Sequence, residues 1–226
     1  MEQVVRASVP LMKREGFRKR SHTFNRSREP GAVEVINFQM GPSDPPGTYD
    51  IPWFRPKLQG HFTINLGVAF EEFWNFERTE GDAKKAFPSF LNEYDCHLRS
   101  RLGSLMGSAD DLWWKLTGDV GVLGREIIEL IQRFGIPWLE RFGRRRAVLT
   151  AWERREKISD EPNLPLVIAV IYAHEGQAAE ARALFRAHYE APTTNLAHAR
   201  WLYGQAARLG IRDLPPPDTR HKDQAP

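Results

Sequence analysis

The sequence has almost no cysteine, since Cys96 is the only one among 226 residues. A single thiol cannot form an intrachain disulfide, and it excludes paired-cysteine metal and redox motifs. Long apolar runs are also missing. The longest, residues 166–173, has eight residues, whereas a bilayer helix needs about 20. The first residues, up to Phe17, contain no apolar signal core. We therefore expect a cytoplasmic protein with no membrane association.

A strong excess of one charge is missing as well. The chain has 32 Lys and Arg against 29 Asp and Glu, a formal net charge of +3, which gives little reason to expect nucleic acid as a partner. Two basic runs, Phe17–Arg20 and Gly143–Arg146, carry three charges each and lie beside acidic residues. We interpret both runs as solvated ends of helices or strands.

Sequence motifs that carry known chemistry are absent. The segment "GPSDPPGTYD" lacks the Gly-Lys-Ser/Thr of a phosphate-binding loop, and no G-x-S-x-G or H-E-x-x-H occurs. Cys96 and His97 are adjacent, but neighbours on a strand point to opposite faces and would not meet as nucleophile and base. We therefore predict no catalytic residue, no metal ligand and no cofactor.

Hydrophobic patterning in the first half predicts both helix and strand. Residues 2–15 follow a helical period that ends at Gly16, and "RSHTFNRS" followed by "AVEVINFQM" is typical of a hairpin. "HFTINLGVAF" alternates apolar and polar residues as a third strand, and residues 96–103 are a candidate fourth. The pattern predicts an α+β fold, with an N-terminal helix on a four-stranded, mainly antiparallel sheet.

The second half changes to a helical period, which predicts an all-helical C-terminal half. Ser108 followed by Asp111 resembles a cap for a short helix that carries Trp113 and Trp114. Gly135 and Pro137 are expected to end one helix and begin the next. We predict an α+β domain over 1–117, connecting helices over 118–158, a helical segment over 159–212 and a disordered tail over 213–226.

Strand alternation places a set of polar side chains on the sheet face opposite the core. We predict a ligand- or partner-binding surface composed of Asn37, Gln39, His61, Thr63, Asn65, His97, Arg99 and Arg101. This face has almost no carboxylate, and amides with arginines recognise planar carboxylates, phosphates or backbone amides. Two other interpretations remain open: a face that is only solvated or covered by helices, and arginines that pair with acidic residues inside the protein.

The first half resembles a bacterial family of domains of unknown function, numbered 4304. The matching residues are Gly16-Phe17, Phe24, Val35–Gln39, Phe62–Gly67, Cys96-His97 and Arg101-Leu102, in family order over about residues 1–117. The resemblance implies a small intracellular bacterial protein. It transfers no activity and no catalytic residues.

The segment from Pro165 to Pro192 is similar to one tetratricopeptide repeat, and a generic helical hairpin remains the alternative. Tyr172, Gly176, Ala181 and Phe185 fall at the spacing of that helix-turn-helix pattern. A single pair of helices cannot bury its own apolar face, so the resemblance implies that it packs on the neighbouring helices.

Two functions remain at this stage. The first is a non-enzymatic cytosolic bacterial protein-binding module with a protein partner, such as an adaptor or an antitoxin-like immunity protein. The alternative is an enzyme or ligand-binding domain that uses the polar sheet face to hold an anionic small molecule or nucleotide. An open cleft at that face would favour the alternative, whereas a face covered by the C-terminal helices would count against it. The sequence does not indicate an oligomeric state.

Overall fold

A computed structural model describes residues 1–43, 58–78, 86–108, 111–159 and 161–217. Residues 44–57, which contain four of the chain's prolines, lie outside these ranges. The fold is α+β, with an antiparallel sheet and helices through the C-terminal half. The helices are α1 (Glu2–Arg14), α2 (Glu71–Glu77), α3 (Leu102–Leu105), α4 (Val120–Leu130), α5 (Ile136–Phe142), α6 (Arg145–Glu153), α7 (Leu164–His174), α8 (Ala178–Glu190) and α9 (Leu196–Gln205).

The chain forms two compact units that are each discontinuous in sequence. The first contains Met1–Ala69 and Pro88–Arg144, and the second contains Phe70–Phe87 and Arg145–Pro226. These divisions differ from the boundaries predicted at 117, 158 and 212. The second unit includes α2, which lies inside the predicted 1–117 domain. α2 follows directly after a strand, and its composition does not set it apart from that domain.

Six strands in the described part of the chain form the sheet, where the sequence predicted four. They are β1 (Arg18–Arg20), β2 (Thr23–Arg26), β3 (Ala32–Met40), β4 (His61–Phe70), β5 (Leu98–Arg101) and β6 (Trp114–Lys115). The sheet order is β1-β2-β3-β4-β5, and β6 pairs with the start of β4. The two extra strands have three and two residues, which is too short to show an alternation. The expected helix around Trp114 is wrong, because Trp114 pairs with Phe62 in β6.

Register within the sheet confirms the predicted side of the apolar residues. Phe24 lies opposite Ile36, and Val68 lies opposite Leu98. The core side chains of this face are at most 1% exposed: Phe24, Ile36, Phe38, Phe62, Ile64, Leu66 and Leu98. The ring centroids of Phe38 and Phe62 are 6.4 Å apart, so the aromatic residues also contact across strands.

Helices of the first unit complete its core. α1 ends at Arg14, and Gly16 follows with a φ of 82°. α1 approaches α4 closely enough that a Cβ at Gly124 would lie 3.2 Å from Ala7. α4 and α5 are joined without a break by a π-helical turn, Ile131–Gly135. The predicted break at Gly135 and Pro137 is therefore wrong. A π-type turn accommodates the missing N–H of a proline without ending the helix.

The second unit is organised around α7, in which all residues from Leu166 to Tyr172 are buried. α7 packs against α2, α6 and α8. Gly176, with a φ of 80°, makes the turn between α7 and α8, so the predicted helical hairpin is present. None of the described helices combines the length and apolar character needed to cross a membrane.

The chain after α9 continues along α8. Residues 206–209 form a turn of 3₁₀ helix, and Ile211 and Leu214 are buried. The Tyr189 hydroxyl donates a hydrogen bond of 2.6 Å to the carbonyl of Pro215. These contacts hold the chain in place beyond residue 213, where the disordered tail was predicted to begin. Residues 218–226 lie outside the described ranges.

Candidate functional site

The predicted polar face is one side of the sheet, and hydrogen bonds between its side chains connect neighbouring strands. Asn37 Nδ2 donates to Thr23 Oγ1 at 2.8 Å, and Asn65 Nδ2 donates to Gln39 Oε1 at 2.6 Å. The pairs join β2 with β3 and β3 with β4. Four of the amide and hydroxyl side chains on this face therefore have hydrogen-bond partners within the sheet.

Two segments of the same unit cover parts of this face. Asn25 Nδ2 donates to the carbonyl of Leu91 at 3.0 Å, and the Leu91 N–H donates to Asn25 Oδ1 at 2.6 Å. Thr63 Oγ1 donates to the carbonyl of Leu112 at 3.0 Å. Thr63 is fully buried and Asn65 is 3% exposed. The chain before β5 and the chain before β6 therefore close over polar groups that strand alternation alone would leave open.

Both arginines of the predicted surface are paired with carboxylates of those covering segments. Arg99 Nε lies 2.8 Å from Glu93 Oε1. Arg101 pairs with Asp111, whose carboxylate also accepts a hydrogen bond of 2.9 Å from the indole of Trp113. Each positive charge thus has a nearby negative charge, which reduces the attraction of this face for an anion.

The two predicted histidines lie at opposite ends of β4. His61 begins the strand and lies opposite Lys115, whereas the His97 N–H donates to the carbonyl of Val68 at 2.9 Å near the strand's other end. His97 is 8% exposed, and burial lowers the pKa of its imidazole to about 3. The structure therefore does not bring the two imidazoles together.

The thiol next to His97 is in a similarly closed environment. Cys96 is 6% exposed, and burial, followed by the charges of Glu93 and Asp95, raises the pKa of its thiol well above the ordinary value. A protonated thiol is a weak nucleophile. Within the ranges that the structure describes, no group of three or more His, Cys, Asp or Glu side chains is placed to hold a metal ion.

A buried charge cluster at the end of the hairpin was not found from the sequence. Glu34 is completely buried, and its Oε2 lies 2.6 Å from Arg26 Nε. Its Oε1 lies 3.3 Å from Arg28 Nε, and Arg28 also reaches Glu140 at 2.7 Å. Burial raises the pKa of the Glu34 carboxyl, while the two arginines act in the opposite direction. The signal in the sequence that could have revealed this cluster was Glu34, a carboxylate on the apolar side of a strand.

This charge cluster is better explained by a structural role than by ligand binding or catalysis. Arg26 is 7% exposed, packs over the ring of Phe17 at 4.3 Å and donates to the carbonyl of Glu15 at 2.8 Å. A Cβ at Gly143 would come within 2.2 Å of Glu34 Oε1, so the chain after α5 closes over the carboxylate. Glu34 and Arg26 are therefore enclosed by the fold, whereas Arg28 and Glu140 remain partly exposed.

The basic runs found in the sequence also make internal contacts. Arg145 forms a bidentate ion pair with Glu72, in which both N–O distances are 2.8 Å. The Arg145 guanidinium also lies 5.4 Å from the ring of Phe70. In the other run, Arg20 stacks over the ring of Phe90 at 4.7 Å. Arg145 is 6% exposed and is not available to a nucleic-acid backbone.

Fold and site together define an α+β domain that covers its own polar sheet face, and a second unit of packed helices. The family model described as Domain of unknown function (DUF4304) matches residues 52–141, which is under half of the chain. The match supports the resemblance to this family from residue 52 onwards. It does not include the resembling residues before 52, and it extends into α5 rather than ending near 117. No curated protein and no solved structure matches the chain.

Proposed function

We propose that this chain is a non-catalytic protein-binding module, of the kind that serves as an adaptor or as an antitoxin-like immunity protein in the bacterial cytoplasm. The observation that carries the proposal is the two-sided character of α8 in the second unit. Ala181, Phe185 and Tyr189 are buried on one side, whereas Ala183 and Ala187 are exposed on the other. An exposed helix face on a packed helical scaffold is a common form of protein-binding surface.

The helical hairpin has features that support a tetratricopeptide-like repeat. Tyr172, Ala181 and Phe185 occupy the apolar positions of that pattern, and all three are buried. Gly176 occupies the turn with the positive φ that glycine accepts most easily. Such repeats expose one helix face for contact with other proteins.

The alternative, an anionic ligand on the polar sheet face, has less support. Thr63 and Asn65 are buried under the chain, and Arg99 and Arg101 are paired with Glu93 and Asp111. A ligand would have to displace these carboxylates before it could use the guanidinium groups. The exposed fractions of the two arginine side chains, 39% and 36%, leave room for contacts at the edge of this face only.

An affinity capture with two matched variants tests the proposal. The tagged full chain is exposed to an extract of the cells that encode it, and captured proteins are identified by mass spectrometry. The helix variant, Ala183→Glu with Ala187→Lys, adds bulk to the exposed face of α8 while placing opposite charges four residues apart, which suits a helix. The control variant, Arg99→Ala with Arg101→Ala, also replaces two residues, but on the polar sheet face.

We expect a specific partner to be captured by the wild type and by the sheet-face control, and to be lost with the helix variant. All three chains should show cooperative unfolding, because Ala183 and Ala187 are exposed and the two arginine side chains are partly exposed. Capture that survives the helix variant and is lost in the sheet-face control would favour the alternative. Failure to enrich any protein above a tag-only control would contradict the proposal.

A further inference from the structure

A cavity of about 550 Å³ lies in the second unit at the C-terminal end of α6, where the chain turns back towards α7. Its apolar walls are formed by Trp152, Ile158 and Leu164. Ile158 is 2% exposed, so this wall is part of the packed core. Ligand pockets usually have volumes of roughly 300–1,000 Å³ with mainly apolar walls and a few polar groups. The volume of this cavity falls in that range, and its lining combines apolar or aromatic residues with several charged ones.

One end of the cavity is negative. The hydroxyl of Tyr172, a residue that is 6% exposed, donates a hydrogen bond of 3.2 Å to Glu153 Oε1. Burial, and then the Glu153 charge, raise the pKa of Tyr172 to about 12. The phenol therefore remains protonated and continues to orient the carboxylate. Glu153 is also the last residue of α6, where the helix dipole adds negative potential. A cationic group is favoured at this end.

A positive group lines the same cavity two residues later. Arg155 adopts a φ of 56°, and its N–H donates to the Trp152 carbonyl while the Glu156 N–H donates to the Ala151 carbonyl, both at 2.9 Å. This pair of bonds is the Schellman arrangement, in which the left-handed position is usually glycine. Within the described residues, the same pair of bonds occurs at four other helix ends, where the left-handed residue is a glycine: Gly16, Gly107, Gly176 and Gly210.

Arginine at this backbone position is unfavourable, and its side chain has no compensating contact. Among the described residues, Arg155 forms neither an ion pair nor a side-chain hydrogen bond. Strained backbone positions that persist in a fold often belong to functional sites. Arg155 lines the cavity, and with no polar partner among the described residues its guanidinium remains available to bind a carboxylate.

We propose that this cavity binds a zwitterionic ligand with an apolar body, the chemistry shared by a free apolar amino acid and a short apolar peptide. The ammonium group pairs with Glu153, the carboxylate pairs with Arg155, and the apolar side chain packs on Trp152 and Leu164. The other charged lining residues, Glu156 and Lys157, have opposite signs, so a ligand without net charge suits the cavity. This proposal does not rest on the protein-binding surface of α8.

Calorimetric titration of the full chain tests the ligand chemistry. The probes are L-phenylalanine and the dipeptide leucyl-phenylalanine. The controls are N-acetyl-L-phenylalanine, which has no cationic group, and L-phenylalaninamide, which has no carboxylate. We expect saturable binding of at least one probe and a loss of at least tenfold in affinity with either control. Tighter binding of the dipeptide would identify a peptide as the source, and tighter binding of phenylalanine a free amino acid.

Matched variants test the two charged groups. Arg155→Gly removes the guanidinium and should not lower the unfolding temperature, because glycine accepts the left-handed conformation. It should weaken binding of the better probe at least tenfold. Glu153→Gln should also weaken it, whereas Arg154→Ala, at an exposed neighbour that does not line the cavity, should leave the affinity unchanged. The proposal is overturned if neither probe binds at millimolar concentration, or if Arg155→Gly binds as tightly as Arg154→Ala.

Discussion

Cys96 lies directly against the backbone of Gly67, on the side of the sheet that carries Asn65. A Cβ at Gly67 would come within 2.5 Å of the Cys96 Sγ and 2.6 Å of its Cβ. If β5 began at Cys96, strand alternation would place Cys96 with Leu98 on the apolar face. β5 begins instead at Leu98, and Cys96 lies on the other side of the sheet. The missing side chain at Gly67 makes room for Cys96.

Gly67→Ala should therefore destabilise the protein, by about 1–3 kcal/mol, since overpacking forces neighbouring atoms to shift. Urea unfolding measures the change in the free energy of unfolding. Adding Cys96→Gly to the same chain removes the atoms that the new methyl group would meet. The double variant should therefore be more stable than the sum of the two single effects predicts. Strict additivity would show that the contact between these residues is not the cause.

The buried charge cluster gives a second prediction. Glu34→Gln leaves Arg26 and Arg28 without the carboxylate that compensates them inside the first unit, and breaking a buried ion pair typically costs about 3–5 kcal/mol. The matched control is Glu2→Gln, because Glu2 pairs with Arg6 at 3.8 Å with both side chains about four-fifths exposed. Such exposed pairs contribute about 0–1 kcal/mol. Equal unfolding midpoints for the two variants would contradict the structural role of Glu34.

The end of α6 gives a third prediction, on stability alone. Arg155→Gly should raise the free energy of unfolding by about 1 kcal/mol, since a non-glycine residue in the left-handed region costs roughly 1–2 kcal/mol. Gly176→Ala, at the equivalent position after α7, should lower stability by a similar amount. Thermal unfolding of both variants beside the wild type checks the opposite signs. Two changes in the same direction would mean that the side chain of Arg155, rather than its backbone, decides the result.

Protonation of His97 gives a fourth prediction. Burial lowers the pKa of His97 in the folded chain to about 3 from an ordinary value of 6.5. Between those pH values the unfolded chain binds a proton that the folded chain does not. Stability from this group is therefore complete above pH 6.5 and is lost as the pH falls, by up to about 1.4 kcal/mol per unit.

His97→Gln should make the free energy of unfolding less dependent on pH in this range. Denaturant unfolding between pH 4 and 7 measures the change. His61→Gln is the matched control, because His61 is only half-buried at the start of β4. It should leave the slope unchanged. An identical slope in wild type and His97→Gln would show that this imidazole does not remain neutral through burial.

Local pattern was enough to predict much of the fold. The alternation from Phe62 to Phe70 identified the longest strand and its buried side, since a period of two is a property of the strand itself. The hairpin of β2 and β3, the helix ending at Gly16 and the helical hairpin around Gly176 were also predicted, because each depends on neighbouring residues and a turn. These features give the α+β class without any long-range information.

Tertiary structure alone decided what happens on the other side of the sheet. Alternation could place Asn65 and Arg101 opposite the core, but it could not show that the chain before β5 and β6 returns to cover Thr63 and to pair both arginines. Those contacts join residues 6 to 49 positions apart, so the period of two along a strand does not record them. The cavity beside Arg155 has the same origin, because the packing of α6 on α7 brings an arginine, a tyrosine-bound carboxylate and an indole to one place.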